Sequence, residues 1–375
     1  MNSQFFTALF RRHVLVFDPT LLVALMLIVL ISCVTMYSAS YETPDRLDDH
    51  LRNLAISFVV MWAIANLSPT MMMRTAIPLY LAGVALLVGV ALFGEVSKGA
   101  RRWLHIGITR IQPSEVLKIA MPLMLAWYFH HYEGTAKARH YLVAMTLLMI
   151  PVVLIARQPD LGTAVLVFAA GAYVIFLAGL SWKVIAAAMV SGIAALPLLW
   201  SVMKDYQKHR VLTMIDPTND PLGKGFHIIQ SMIAVGSGGP SGKGLLLGTQ
   251  THLEFVPERT TDFIFAVFAE EFGFVGAAAL LLVYLLLIAR GLMIAAAATN
   301  PFSRLLAGAI TLIFFTYAFV NMGMVTGILP VVGVPLPMMS YGGTAMVTLG
   351  LGAGILMSIA RYSKAMRVQG SGARR

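Results

Sequence analysis

The sequence GTQTHLEFVPERTTD, residues 248–262, runs directly into FIFAVFAEEFG, residues 263–273. Together they close the longest polar interval of an otherwise apolar chain, residues 210–271. An exposed loop ending at Asp262 therefore leads straight into a helix that must enter lipid. This junction is predicted to hold the chemistry, and the remaining segments are predicted to form the membrane scaffold that positions it.

Composition places most of the chain in lipid. Hydrophobic residues make up 58% and charged residues 12% of the 375 residues, and the mean hydropathy is +0.80. Soluble domains carry about twice that share of charge. The net charge of +10 does not indicate nucleic acid, because the basic residues are scattered or flank apolar runs, as at a membrane surface. The single cysteine, Cys33, excludes an internal disulfide.

Ten apolar runs are predicted to be membrane-spanning helices. Lipid requires internal pairing of the backbone, and the runs lack the period-two alternation of strands. The predicted fold is an all-α integral membrane protein in one polytopic domain, with an extracytoplasmic loop, residues 204–261, between spans seven and eight. The runs are Leu21–Tyr37, Leu54–Leu67, Ile77–Phe93, Glu115–Phe129, Tyr141–Ile155, Leu161–Leu180, Val184–Met203, Asp262–Ile288, Leu305–Val325 and Tyr341–Ile359.

The distribution of Lys and Arg predicts the orientation. An even number of spans puts both termini on one side, and the short loops on that side hold more basic residues than those opposite. By the positive-inside rule, both termini are expected to be cytoplasmic. The long loop and Asp262 are then expected to face outward.

The outward side still carries many cations. Arg101 and Arg102 cluster with Lys98, and Arg210 lies in the long loop. Cations at a membrane surface suit lipid phosphates or a pyrophosphate. The alternative is that they pair with nearby acids such as Glu95.

Ionisable residues within apolar runs are expensive and often functional. Glu115 and Lys118 are spaced i, i+3 and can neutralise each other, either as a structural pair or at a substrate. Asp160 begins a run after a short turn, so it is predicted to be a helix N-cap, or to complete a charged cavity with Lys118.

A glycine-rich stretch, GSGGPSGKG at residues 236–244, is not a P-loop, because Gly244 follows Lys243 and no strand precedes it. It is predicted to approach a lipid phosphate or to be a flexible surface turn. His227 and His252 are isolated, with no metal-ligand spacing.

Asp262 has two interpretations. It can simply cap the next helix. It can also act in catalysis, because Glu258 and Arg259 make a charged cluster beside it, and Glu270 and Glu271 follow deeper along the helix. An acid at the boundary of water and lipid lies where the reactive end of a lipid-linked substrate would be.

Five motifs resemble the SEDS family of shape, elongation, division and sporulation proteins. They are PERTTDFIFAV at residues 257–267, AEEFG at 269–273, QPSE at 112–115, QPDLGT at 158–163 and PLPMMSYGG at 335–343. The resemblance runs in order over nearly the whole chain. Within the family it is closest to the elongation members.

The resemblance implies a peptidoglycan glycosyltransferase with ten transmembrane helices that polymerises lipid II at the outer face of the bacterial inner membrane. Asp262 matches the catalytic aspartate of the family and would be the general base of an inverting reaction. Basic groups, or a divalent cation such as Mg²⁺, would stabilise the departing undecaprenyl pyrophosphate. The residues expected to bind the substrate are Arg101, Arg102, Glu115, Lys118, Asp160, Arg210, Glu258 and Arg259.

The resemblance also implies partners, namely a class B penicillin-binding protein and the MreB elongation machinery. Two other functions compete. A flippase for lipid-linked precursor would need a charged path through the membrane, for which the candidates are Glu115, Lys118, Asp160, Glu270 and Glu271. A scaffold for the penicillin-binding protein would tolerate replacement of Asp262.

Overall fold

A computed structural model of the chain describes residues 16–372, apart from residues 98–99, 107–108, 159, 204–207, 209–211, 214–215, 217–223, 254 and 256–257. The described part is mostly helical, and each of the ten predicted runs falls on a helix. The helices are α1 (Pro19–Ala39), α2 (Asp45–Ala65), α3 (Pro69–Phe93), α4 (Pro113–His131), α5 (Ala138–Arg157), α6 (Leu161–Leu177), α7 (Trp182–Val202), α8 (Lys224–Ser237), α9 (Thr249–His252), α10 (Ile264–Ala297), α11 (Pro301–Val325) and α12 (Gly343–Gly372).

Six of the described helices, α1, α3, α5, α10, α11 and α12, are long and apolar enough to cross a membrane. Helix α6 is apolar but shorter. Helix α2 carries acids in its first turn, at Asp45 and Asp48. The prediction of helices is confirmed, and the prediction of ten crossings remains a prediction.

Three long helices begin with the same local pattern, a polar cap followed by proline. The side chains of Asp18, Ser68 and Asn300 accept hydrogen bonds from backbone N–H groups three residues later. Proline follows each cap, where its missing N–H costs nothing and its fixed φ suits a helix. These starts are therefore encoded locally.

Helices α1 and α10 run antiparallel, and their two sets of contacts define the two ends of the bundle. Asp18, before α1, pairs with Arg290, late in α10, and Ser38, late in α1, donates to Glu271, early in α10. The terminal end is where α1 begins and α10 finishes. The loop-rich end is where α1 finishes and α10 begins.

A small antiparallel sheet joins α3 to α4. Its strands are β1 (Glu95–Ser97), β2 (Ala100–Ile106) and β3 (Thr109–Ile111), in the order β1-β2-β3. The sequence predicts only a loop with a basic cluster at this connection. The sheet places Arg102 beside the start of α4.

Helix α10 is broken at Gly273, where φ is 64° and ψ is −162°. A break leaves helix carbonyls without their usual intrahelical donors. Here the N–H of Lys243 donates to the carbonyl of Glu270 at 3.0 Å, and that of Gly244 to the carbonyl of Glu271 at 3.0 Å. Only a residue that tolerates positive φ fits such a break without strain.

The glycine-rich segment, residues 236–244, and the residues that follow it up to Thr251 pack against the break. The buried carboxylate of Glu270 accepts hydrogen bonds from Lys243 Nζ at 2.7 Å, from the N–H of Gln250 at 2.9 Å and from the N–H and Oγ1 of Thr251 at 3.2 and 3.0 Å. The segment therefore braces the broken helix and is not the flexible surface turn that was one of the two predictions. An approach of this segment to a lipid phosphate stays a prediction.

Candidate active site

A cavity of about 410 Å³ opens at the loop-rich end. Its walls come from β2, the starts of α4, α6 and α10, and the segment of residues 331–335. Six charged residues line it: Arg102, Glu115, Lys118, Asp160, Glu258 and Asp262. Residues far apart in the sequence therefore meet in one place.

Asp262 lies half-buried directly before α10. Its carbonyl accepts a hydrogen bond from Asn321 Nδ2 at 2.9 Å, and the same amide donates to the carbonyl of Val334 at 2.8 Å. Gly333 lies next to the carboxylate: a Cβ on it would be in van der Waals contact with Oδ2 of Asp262, at 3.4 Å. The N-cap of α10 is Phe263, with no side-chain cap bond, so the interpretation of Asp262 as the cap is wrong.

A tight turn presents Glu258 and Asp262 to the same cavity. Glu258 has a φ of 54°, in the left-handed region. Its carbonyl accepts from the N–H of Thr261 at 3.0 Å and of Phe263 at 3.3 Å, and Oε2 accepts from Thr261 Oγ1 at 3.0 Å. A strained residue in a cavity wall is a common mark of a functional site.

Glu115 and Lys118 form a buried ion pair on the wall made by α4. Lys118 Nζ lies 2.6 Å from Glu115 Oε1 and 5.3 Å from the ring centre of Tyr317. The side chains are 4% and 11% exposed for Lys118 and Glu115. The ion pair predicted from the i, i+3 spacing is present, and it also lines the cavity. A role at the substrate stays a prediction.

Asp160 is the N-cap of α6, as predicted, with Oδ1 accepting from the N–H of Thr163 at 3.2 Å. Its other oxygen accepts from Gln112 Nε2 at 3.3 Å and lies 3.7 Å from Arg102 Nε. The carboxylate therefore caps a helix and also joins α6 to β2. Its place beside Lys118 in one cavity is also as predicted.

Arg259 does not line the cavity. Its guanidinium donates to the carbonyls of Ala39 at 2.9 Å and Thr251 at 3.3 Å, and to Glu42 at 2.8 Å. The geometry gives Arg259 a structural role in tying the loop to α1. Substrate binding by Arg259 remains a prediction that this placement does not favour.

Two other predicted substrate contacts are not placed. Arg101 lies in β2, but its side chain is outside the described part. Arg210 lies outside the described residues. Both remain predictions.

The sequence did not point to several other residues of the cavity wall, among them His227, Gln112 and Gly333. His227 lines the cavity and stacks on Phe263, with ring centres 6.1 Å apart. In the sequence it is an isolated histidine without metal-ligand spacing, which gives no indication of a site. Gln112 and Gly333 also line the cavity. The signal for Gln112 was its position directly before Pro113 and Glu115. Among the described residues, no group of three His, Cys, Asp or Glu side chains is placed to hold a metal ion.

Two acids on α10 lie away from this cavity. Glu270 accepts hydrogen bonds from Lys243 Nζ and from the N–H of Gln250. Glu271 accepts from Ser38 and from the N–H of Leu246. The acids expected along a flippase path are therefore divided between two sites within the described chain.

The fold and the cavity define a multi-helix membrane protein with a charged cavity at one end. A family model of cell cycle proteins, named for FtsW, RodA and SpoVE, matches residues 16–365. The chain belongs to this family, which is the SEDS family that the motifs resemble.

Relatives and solved structures agree with this membership. The chain is 50% identical over 348 residues to peptidoglycan glycosyltransferase MrdB of Escherichia coli strain K12, which spans 92% of this chain and 94% of the relative. It is 33% identical over 365 residues to stage V sporulation protein E of Bacillus subtilis strain 168, spanning 92% and 98%. The predicted likeness to the elongation member RodA is confirmed.

Two solved structures share the fold. One comes from work on the structural coordination of polymerization and crosslinking by a peptidoglycan synthase complex. It has a TM-score of 0.81 and 32% identity, and covers 92% of this chain and 98% of that one. Thermus thermophilus RodA has a TM-score of 0.69 and 29% identity, and covers 92% and 97%.

Proposed function

We propose that this chain is a peptidoglycan glycosyltransferase whose active site is the cavity at the loop-rich end. One observation carries the proposal: Asp262 and Glu258 face Lys118 and Arg102 across a single cavity of about 410 Å³. The cavity lies in a membrane protein that is 50% identical to a peptidoglycan glycosyltransferase. Carboxylates and cations in one cavity suit a reaction that removes a proton and releases an anion.

In the attack by the acceptor, Asp262 is the general base. The 4-hydroxyl of one lipid II sugar attacks the anomeric carbon of a second lipid II, and its proton passes to the carboxylate of Asp262. The unperturbed pKa of an aspartate, about 3.9, makes a weak base. Positioning must then supply much of the acceleration, and the tie between Asn321 and the carbonyl of Asp262 serves that end.

In the departure of the donor's pyrophosphate, the cations of the cavity stabilise the leaving group. The bond from the anomeric carbon to the pyrophosphate oxygen breaks as the new glycosidic bond forms, and the electron pair leaves with undecaprenyl pyrophosphate. Lys118 and Arg102, both in the cavity wall, stabilise the growing negative charge. A single displacement at an α-linked donor gives a β-linked product, so the reaction inverts.

A divalent cation such as Mg²⁺ stays a prediction. The described residues offer no group of three acidic or histidine ligands to hold it. No step is therefore assigned to a metal, and the cations of the protein carry the stabilisation proposed above.

The setting of the reaction follows from the predicted orientation. The chain would lie in the bacterial inner membrane with ten spans and cytoplasmic termini, and the cavity would open to the periplasm. A class B penicillin-binding protein is the expected partner. Support comes from the fold shared with a chain of a peptidoglycan synthase complex. The MreB machinery is the second expected partner.

The test is a glycan synthesis assay. Wild type and Asp262→Asn would be purified with the penicillin-binding protein, given labelled lipid II, and their glycan chains resolved on a gel. Wild type makes chains, and the variant, folded and bound to its partner, makes none above background. Asp45→Asn is the matched control, an exposed acid at the same end but outside the cavity, and it keeps activity.

Two outcomes would overturn the proposal. Normal chain formation by Asp262→Asn would remove the base assignment. Inactive wild type that still moves labelled lipid across vesicles would favour the flippase.

A further inference from the structure

A second cavity, of about 800 Å³, lies at the terminal end of the bundle. It is formed by the start of α1, the last turns of α10 and the last part of α12. Arg290 lies in the later part of α10, at the opposite end of the bundle from Asp262. The proposed reaction therefore leaves this cavity unexplained.

The charge of this cavity is strongly positive. Four basic side chains, Arg290, Arg361, Lys364 and Arg367, line it against the single acid Asp18. Such a concentration of cations at the end of a membrane bundle attracts anions.

The one acid is already neutralised. Asp18 is held by Arg290 through two bonds, Nε to Oδ1 at 2.9 Å and Nη2 to Oδ2 at 2.5 Å. Burial alone would raise the pKa of Asp18, but hydrogen bonds from Arg290 and the N–H of Leu21 bring it below its ordinary value. Asp18 is therefore ionised at neutral pH and paired with Arg290, and Lys364 and Arg367 add two further positive charges to the lining.

The rest of the lining is apolar. Phe17, Met293, Ile294 and Ala297 contribute to it, and Met293 is 50% exposed. Arg367 donates to the carbonyl of Ala297 at 2.9 Å, which fixes the cationic rim above this surface. A ligand that matches both parts has an anionic head and an apolar tail.

We propose that this cavity binds an anionic phospholipid, with the headgroup phosphate against Lys364 and Arg367 and an acyl chain along α10 at Met293. Basic pockets between membrane helices recognise lipid headgroups in this way. Inorganic phosphate would use the cations but leave the apolar surface uncovered.

The experiment measures the thermal midpoint of the purified protein in neutral detergent as phosphatidylglycerol is added, with phosphatidylcholine as the zwitterionic comparison. Phosphatidylglycerol is expected to raise the midpoint of wild type by several degrees more than phosphatidylcholine does. In the double variant Lys364→Gln/Arg367→Gln, the half-saturating concentration rises roughly 10-fold to 30-fold, at about 1 kcal/mol for each cation lost. High salt weakens the effect in wild type, because it shortens the screening length.

The matched control is Arg304→Gln. Arg304 lies at the same end, is 55% exposed, pairs with Glu133 and is not part of the cavity. It should behave as wild type. Should the double variant not fold, the single variant Lys364→Gln at an exposed position provides the test, with a half-saturation about fivefold weaker.

Three results would overturn the proposal. The first is an unchanged phosphatidylglycerol response in the double or single variant. The second is an equal loss of response in Arg304→Gln. The third is a full midpoint rise with inorganic phosphate alone, which would make the cavity an anion site without a lipid.

Discussion

Two glutamate–lysine pairs, each with a buried glutamate, lie at the loop-rich end, and they differ in what surrounds the carboxylate. Lys118 approaches Glu115 at 2.6 Å, and Lys243 approaches Glu270 at 2.7 Å. Glu270 also accepts from backbone and side-chain donors of the loop, so its acceptor sites are filled by the protein. Oε2 of Glu115 is buried without a hydrogen-bond partner within the described chain.

The difference separates a structural pair from a pair suited to a ligand. A buried charge whose acceptors are all occupied holds segments together and has nothing left for a substrate. A pair in a cavity wall with an unused acceptor can still bind one. In the sequence only Glu115 and Lys118 are neighbours, whereas Lys243 and Glu270 are 27 residues apart and are brought together by the fold. The surroundings of each carboxylate, which the sequence does not show, separate the roles of the two pairs.

Breaking the cavity pair at its lysine should give the largest effect. Lys118→Met removes a cation that faces the leaving pyrophosphate, so polymerisation of lipid II should fall by about 100-fold to 1,000-fold. The assay is chain formation from labelled lipid II, normalised to folded protein.

Lys243→Met is the matched control for this variant. It removes the lysine of the structural pair, and activity per folded molecule should stay within about tenfold of wild type. Equal activity in the two variants would erase the distinction between the pairs.

Breaking the structural pair at its glutamate should act on stability instead. Glu270→Ala leaves the ammonium of Lys243 and the N–H groups of Gln250 and Thr251 without their acceptor. The expected cost is about 3 kcal/mol of unfolding free energy, at roughly 1–3 kcal/mol for each buried group left unsatisfied. The measurement is the thermal midpoint in detergent, with Glu115→Ala for comparison. A larger drop in Glu115→Ala than in Glu270→Ala would reverse the assignment.

Two glycines of the glycine-rich segment that braces α10 give the comparison with the smallest expected effect. A Cβ at Gly242 would lie 2.1 Å from the carbonyl oxygen of Glu271, whereas one at Gly239 would meet nothing within 4 Å. Both glycines have positive φ, so Gly239→Ala tests the backbone strain alone. Gly242→Ala should lower stability by about 1–3 kcal/mol more, the usual cost of forced overpacking. Equal thermal midpoints would show that the segment yields without cost.

The helices could be predicted from the sequence because lipid imposes a single local rule. Each apolar run gave a helix, and caps such as Asn300 mark the starts. The run expected to begin at Asp262 instead forms a helix from Ile264 to Ala297 with a break at Gly273. Hydropathy does not show such a break, since it depends on a loop that packs against the helix from elsewhere in the chain.

The site could be predicted in part. Asp262 and Glu258 are near neighbours in sequence, and Glu115 and Lys118 were noticeable because charge within apolar runs is costly. That these residues share one cavity depends on tertiary packing. Nothing in the sequence around Gly333 indicates that it belongs to the cavity wall, because it meets Asp262 only through the fold.

The amide of Asn321 has a mechanical consequence. It holds the carbonyl of Asp262 and the carbonyl of Val334 at once. A movement of α11 would therefore shift the backbone at Asp262 and at Val334 together, relative to α4 and α6 on the other side of the cavity. The width of the cavity would then depend on the tilt of this one helix.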